Sequence, residues 1–141
     1  MLGERFVKTI QLPDGSSVTG RGLRDGRLVE PAPAYGLYLQ ARAVDLPWDH
    51  DWIEWPDFRL PRDHENARRL IRELHRRALS GERVEVACSG GVGRTGTVIS
   101  CLAVLAGVPA DEAVAWTRAH YHRRAVETPW QKRWVRQFPV S

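Results

Sequence analysis

A mixed α/β fold is what the sequence predicts, and three observations carry it. A short alternating run, Val84–Ala87, feeds a glycine-rich loop that opens a strongly apolar helix. Asp63–Ser80 shows helical periodicity between a capping residue and a terminal glycine. The N-terminal stretch alternates and is punctuated by turn residues, as strands are.

Taken in order, Arg5–Gln11 reads as a strand, Pro13-Asp14-Gly15 as a turn, and Val18-Thr19 as the hairpin partner. Asp25-Gly26 marks another turn, and Pro31-Ala32-Pro33 is a stiff connector. Gly36–Gln40 and Ala43–Leu46 are expected strands, whereas Trp48–Pro61, dense in Trp, Asp and Pro, is an expected loop. His50 lies there between Asp49 and Asp51, but adjacent side chains point apart and no second cluster has ligand spacing, so no metal is expected. Asp63 caps the helix that Gly81 ends. Ala67, Leu70, Ile71, Leu74 and Ala78 share its apolar face, and Arg68, Arg69, Arg72, Arg76 and Arg77 form a solvated one. The helix after Thr95 is apolar nearly all round and should be buried, with Cys101 as a core residue. Pro109-Ala110-Asp111-Glu112 starts a further helix, and His120–Arg124 is basic. Thr128 caps the last helix, whose Trp130, Trp134 and Phe138 line one face as core.

The chemistry concentrates in Cys88-Ser-Gly-Gly-Val-Gly-Arg94-Thr95. Backbone N–H groups of a tight loop at a helix N-terminus attract anions. Arg94 adds a planar guanidinium that grips two phosphate oxygens at once. The same positive field favours the Cys88 thiolate, so the loop both binds an oxyanion and attacks it. Gly91, Gly93 and Gly96 also match a dinucleotide-binding turn, but no β-rich run comes after the helix to complete that unit. The nucleotide loop fails as well, because Arg94 stands where lysine is required.

Cys88 and Arg94 in C-x5-R-T spacing resemble the signature loop of the cysteine-dependent protein tyrosine phosphatase superfamily. Trp55-Pro56-Asp57-Phe58 resembles that family's acid-bearing loop, and Glu127-Thr128-Pro129-Trp130-Gln131 its water-positioning loop. The resemblance spans about residues 35–138. It implies an α/β fold with a small, mostly parallel central sheet flanked by helices. Residues 1–34 would be a β-rich N-terminal extension packed on a single domain, 1–141. It implies a phosphocysteine mechanism: Cys88 as nucleophile, Asp57 as general acid, Arg94 on the equatorial oxygens and Thr95 on the departing thiolate. The phosphate would lie on the amides of Ser89, Gly90, Gly91, Val92, Gly93 and Arg94. Gln131 would position water, though it reads equally as part of a capping box with Thr128. Two positions depart from the family: Ala87 stands where His is common, and Glu127 where the first of two glutamines is common.

Net charge is +4 with a pI near 9.6, which suits an anionic substrate and is too mild to imply nucleic acid. No run is apolar enough to span a membrane, and two cysteines suit a reducing, cytoplasmic setting. The expected partner is a phosphotyrosine-containing protein or a small phosphate monoester, with no cofactor. Phosphotyrosine is favoured by the full Trp-Pro-Asp motif and a loop without lysine. A dual-specificity or phosphoinositide phosphatase, with His120–Arg124 meeting a second anionic group, and a catalytically weak phosphopeptide-binding module are the alternatives.

Overall fold

In a computed structural model, residues 6–140 are described. Their strands form one five-stranded sheet in the order β1-β2-β5-β3-β4. β1 (Val7–Gln11) and β2 (Ser17–Gly22) are an antiparallel hairpin in which Ile10 faces Val18. Every other neighbouring pair is parallel: β2 with β5 (Val84–Cys88), β5 with β3 (Tyr35–Gln40), and β3 with β4 (His50–Glu54). The N-terminal segment therefore extends the main sheet itself, with Gly22 opposite Cys88. Arg5, the first residue of the expected strand, lies outside the described residues.

Four helices pack around one another on one face of this sheet: α1 (His64–Leu79), α2 (Gly93–Leu105), α3 (Ala113–His120) and α4 (Pro129–Arg136). Asp63 caps α1 by accepting from the Asn66 amide at 3.0 Å. α2 is buried along nearly its whole length, Cys101 included. Burial pushes the Cys101 thiol up, and it forms no disulfide. α3 begins at Ala113, after a turn over the expected start at Pro109.

Two expectations fail in one stretch. Ala43–Leu46 is not a strand; it crosses the opposite face of the sheet, where Val44 and Leu46 bury against Tyr38 and Ala87. The strand lies instead inside the expected loop, at β4. An edge strand pairs on one side only, so it tolerates His50, Asp51 and Glu54 while Ile53 points into the core. The arginine face of α1 also differs from a freely solvated one. Arg68 lies over the Trp134 ring, Arg72 over Phe138 and Arg77 over Tyr35, with centroid distances of 5.4, 5.5 and 4.2 Å. Trp130 departs from the expected core face, being half-exposed while Trp134 and Phe138 are buried.

A buried ion pair stitches the strand that ends in Cys88 to its neighbours. Arg21 on β2 donates to both Glu85 oxygens on β5, at 2.8 and 2.9 Å, and Tyr38 on β3 donates to the same carboxylate. The remaining Arg21 donors reach the carbonyls of Gly26 and Arg27, so the guanidinium also fixes the turn after β2. Such a pair is costly to break on one side, because the surviving charge stays buried without its partner.

Candidate active site

Cys88 ends β5, and the chain turns through Ser89–Val92 into α2 at Gly93. The turn needs glycine at position 91, where φ is +77° and a Cβ would collide with the β2 backbone at Arg21 and Gly22. Cys88 is 2% exposed. Its Sγ accepts from the Thr95 hydroxyl at 3.0 Å and from the Gly91 amide at 3.3 Å. Thr95 thus meets the sulfur, as its place in the motif implies. Arg94 sits in the first turn of α2, 4% exposed, and donates through Nη1 to the Trp55 carbonyl at 2.8 Å. Its Nε is buried without a hydrogen-bond partner among the described residues, and the Asp57 carboxylate lies 3.5 Å from it.

Asp57 comes after β4 on a turn that three indole and amide donors hold in place. Trp55 and Gln131 both donate to the Arg59 carbonyl, at 2.7 and 3.0 Å, and Trp130 donates to the Phe58 carbonyl at 2.8 Å. Phe58 takes φ +61°, a left-handed conformation that costs a non-glycine residue about 1–2 kcal/mol and persists only where surroundings impose it. The neighbouring acids are engaged elsewhere: Asp51 accepts from the Tyr35 hydroxyl, and Glu54 pairs with Arg62. Of the acids on this stretch, Asp57 is the one beside Arg94.

Glu127 approaches from the other end of the chain, its carboxylate filling the space that a Cβ on Gly93 would need. Burial raises its carboxyl above the ordinary glutamate range, and the Asp57 charge adds to the shift while Arg94 partly offsets it. Gln131 is fully buried and its amide is committed. Its Oε1 accepts from the Glu127 and Thr128 amides, its backbone N–H donates to the Thr128 hydroxyl, and its Nε2 reaches the Arg59 carbonyl. The capping box is therefore complete, and the same side chain ties the Glu127 segment to the Asp57 turn.

Side chains from outside the three motifs brace the loop. Tyr121 donates to the Gly91 carbonyl at 2.6 Å, and burial, with the Cys88 charge nearby, pushes its phenol up so that it stays a donor. Gln40 bonds the Ser89 hydroxyl, and the Arg24 amide donates to the Ser89 carbonyl at 3.0 Å. Sequence reasoning misses both Tyr121 and Gln40; a polar residue at the end of β3 is the available signal for Gln40. Ala87 sits against Tyr38, Val44 and Leu46 on the far face, with Arg21 opposite it on β2.

The protein-tyrosine phosphatase family model matches residues 39–126. No curated protein matches. Among solved structures, the active form of Tk-PTP is similar, at 22% identity and TM-score 0.64 over 92% of this chain and 95% of that one. Kinase associated phosphatase, with its catalytic-site cysteine changed to serine, is similar at 13% identity and TM-score 0.79, over 98% and 96%. A putative protein tyrosine phosphatase from Leishmania major matches at 16% identity and TM-score 0.61, over 97% and 99%. At these identities the structures speak for the fold. The family match covers more than half of the chain and runs from the end of β3 through the cysteine loop to the threshold of Glu127: the chain belongs to the protein-tyrosine phosphatase family.

Proposed function

We propose that this protein hydrolyses phosphate monoesters, phosphotyrosine foremost, through a phosphocysteine intermediate. One observation carries the reading. A sulfur that collects two donors, from Thr95 and Gly91, sits beside a buried arginine whose Nε has no hydrogen-bond acceptor among the described residues. A phosphoryl oxygen supplies that acceptor, and the guanidinium answers the charge that spreads over the equatorial oxygens.

In the first displacement the Cys88 thiolate forms an S–P bond as the ester P–O bond breaks, and Asp57 gives its proton to the leaving oxygen. In the second, water attacks phosphorus, its proton passes to the Asp57 carboxylate, and the S–P bond breaks to return the thiolate. Glu127 orients that water, since every polar atom of the Gln131 amide is already engaged. Gln131 acts as a positioning residue between the two acid-bearing segments. The half-exposed Phe58 and Trp130, joined by the Trp130 hydrogen bond, flank Asp57 with aromatic surface suited to an aryl ester.

Replacing Cys88 with Ser should abolish turnover of phosphotyrosine peptides while vanadate still binds, because the amides and Arg94 remain. Turnover retained by Cys88→Ser, or turnover by the unaltered protein only with added divalent metal, would overturn the mechanism.

A further inference from the structure

A cavity of about 380 Å³ opens beside the first residue of the cysteine loop, lined by Arg24, Arg27, Arg42, Gln40 and Ser89 among others. Three arginines from two segments converge there: Arg24 and Arg27 from the connection after β2, and Arg42 from the crossing after β3. No carboxylate lines it. Asp25 is next to Arg24 in sequence, but its carboxylate takes the Phe6 amide at 3.4 Å. Among the described residues none of the three guanidinium groups has a hydrogen bond or ion pair, whereas Arg21, Arg76, Arg77 and Arg118 are all engaged.

The cavity is coupled to the phosphate cradle through covalent neighbours. Ser89 contributes its hydroxyl to the Gln40 contact that lines the cavity, and its carbonyl accepts from the Arg24 amide. The Arg24 guanidinium lies 3.7 Å from where a Cβ on Gly90 would stand. His120–Arg124, a sequence candidate for a second anion, is arranged otherwise. Tyr121 turns inward to Gly91, His120 stacks on Trp116, and His122 packs edge-on against Phe6, which leaves only Arg123 and Arg124 of that stretch as exposed cations.

We infer that the Arg24–Arg27–Arg42 cavity is a specificity subsite for an acidic residue flanking the phosphotyrosine of a peptide substrate. The inference rests on the proposed phosphatase activity and adds the substrate class. Two features favour a peptide over a compact bisphosphate. The arginines are exposed and spread over two segments, an open groove rather than a closed cup. The aromatic surface of Phe58 and Trp130 at the Arg94 end suits the tyrosine ring, leaving the Ser89 end for the flank.

The test compares phosphotyrosine peptides with Glu or Ala on either side of the tyrosine, p-nitrophenyl phosphate, and fructose 1,6-bisphosphate. The unaltered protein should prefer the Glu peptide by about tenfold in kcat/KM, mostly through KM, a preference that shrinks as salt rises. Arg24→Ala/Arg27→Ala/Arg42→Ala should erase that preference, and Arg27→Ala/Arg42→Ala, which leaves the Arg24 contacts of the loop in place, should shrink it with p-nitrophenyl phosphate turnover unchanged. No Glu preference, a preference that survives the triple variant, or a bisphosphate preferred over both peptides and lost in the triple variant overturns the peptide subsite. If no aryl phosphate is hydrolysed, the catalytic reading has failed. The subsite is then judged by peptide titration of Cys88→Ser with and without the three substitutions, using tryptophan fluorescence: tighter binding of the Glu peptide only with the arginines present supports it, and equal binding overturns it.

Discussion

Asp57 and Glu127 approach Arg94 from opposite ends of the chain, one on the turn after β4 and the other on the segment before α4, and they are held in contrasting ways. Asp57 is half-exposed, and its turn is laced by Trp55, Trp130 and Gln131. Glu127 comes directly after Val126, whose φ of +65° is a left-handed conformation unusual for a β-branched residue. Arg118 holds that strained segment by donating to the Ala125 and Val126 carbonyls, at 2.8 and 2.7 Å. Each acid thus sits beside a non-glycine residue with positive φ that other side chains impose. Electrically the two differ: Asp57 helps to raise the Glu127 carboxyl, so the second acid takes up its proton more readily because the first is there. Two carboxylates next to one guanidinium need not share a role. Both are exposed, and they differ in placement: Asp57 on its turn can reach a leaving group, and Glu127, lying against Gly93, is suited to hold water.

The comparison breaks most sharply at Asp57. Asp57→Asn should lower kcat on phosphotyrosine peptides by about 10²–10⁴-fold. It should also bring the Glu127 carboxyl back toward its ordinary range, because the neighbouring negative charge is gone; a carboxyl-labelled NMR titration tracks this. A loss below about tenfold would transfer the donor role to Glu127 and reverse the assignment. Glu127→Gln should cost less, about tenfold in kcat, with the phosphocysteine accumulating as a burst. The same variant carries a stability signature. Folding raises the Glu127 carboxyl, so the folded state binds the extra proton, and stability falls as pH rises from the ordinary glutamate range through the raised value. Chemical denaturation against pH should show that fall in the unaltered protein and not in Glu127→Gln. An identical profile in both would remove the electrostatic contrast between the acids. The smallest effect on rate is expected from Gln131→Ala, a few-fold in kcat, on the order of the loss of one positioning hydrogen bond. Its stability should drop by about 1–3 kcal/mol, since two backbone donors and one carbonyl lose a buried partner. A large kcat loss without destabilisation would instead make Gln131 the water-positioning group.

Residues with local signals are the ones legible in the sequence. Val84–Ala87 alternates, the glycines after it permit one turn, and α2 is apolar all round, so the strand, loop and helix around Cys88 need no distant information. Asp63 and Thr128 likewise announce α1 and α4 through capping chemistry. β4 is hidden because an edge strand is free to carry charges that resemble a loop, and Ala43–Leu46 misleads because apolar residues also bury from irregular chain. The Arg21–Glu85 pair joins positions 64 residues apart, and no spacing rule connects them. Tyr121 reaches Gly91 across 30 residues, and the aromatic partners of Arg68 and Arg72 lie on and beyond α4. At the site, residue types expose Cys88 and Arg94. The second acid's shifted proton affinity depends on neighbours that only the fold brings together.

The position of Cys88 and Asp57 relative to the sheet has a further consequence. β5 is the central strand, and Cys88 closes it; β4 is an outer strand, and Asp57 lies shortly after it. Local opening is easier at the margins of a structure than at its middle. Amides of β4 should therefore exchange with deuterium faster than those of β5, and mild denaturant should loosen the Asp57 turn while the cysteine loop still binds vanadate. Under the proposed mechanism, the molecule would pass through a condition in which esters with good leaving groups are still cleaved and phosphotyrosine is spared, so its selectivity should drift before its activity disappears.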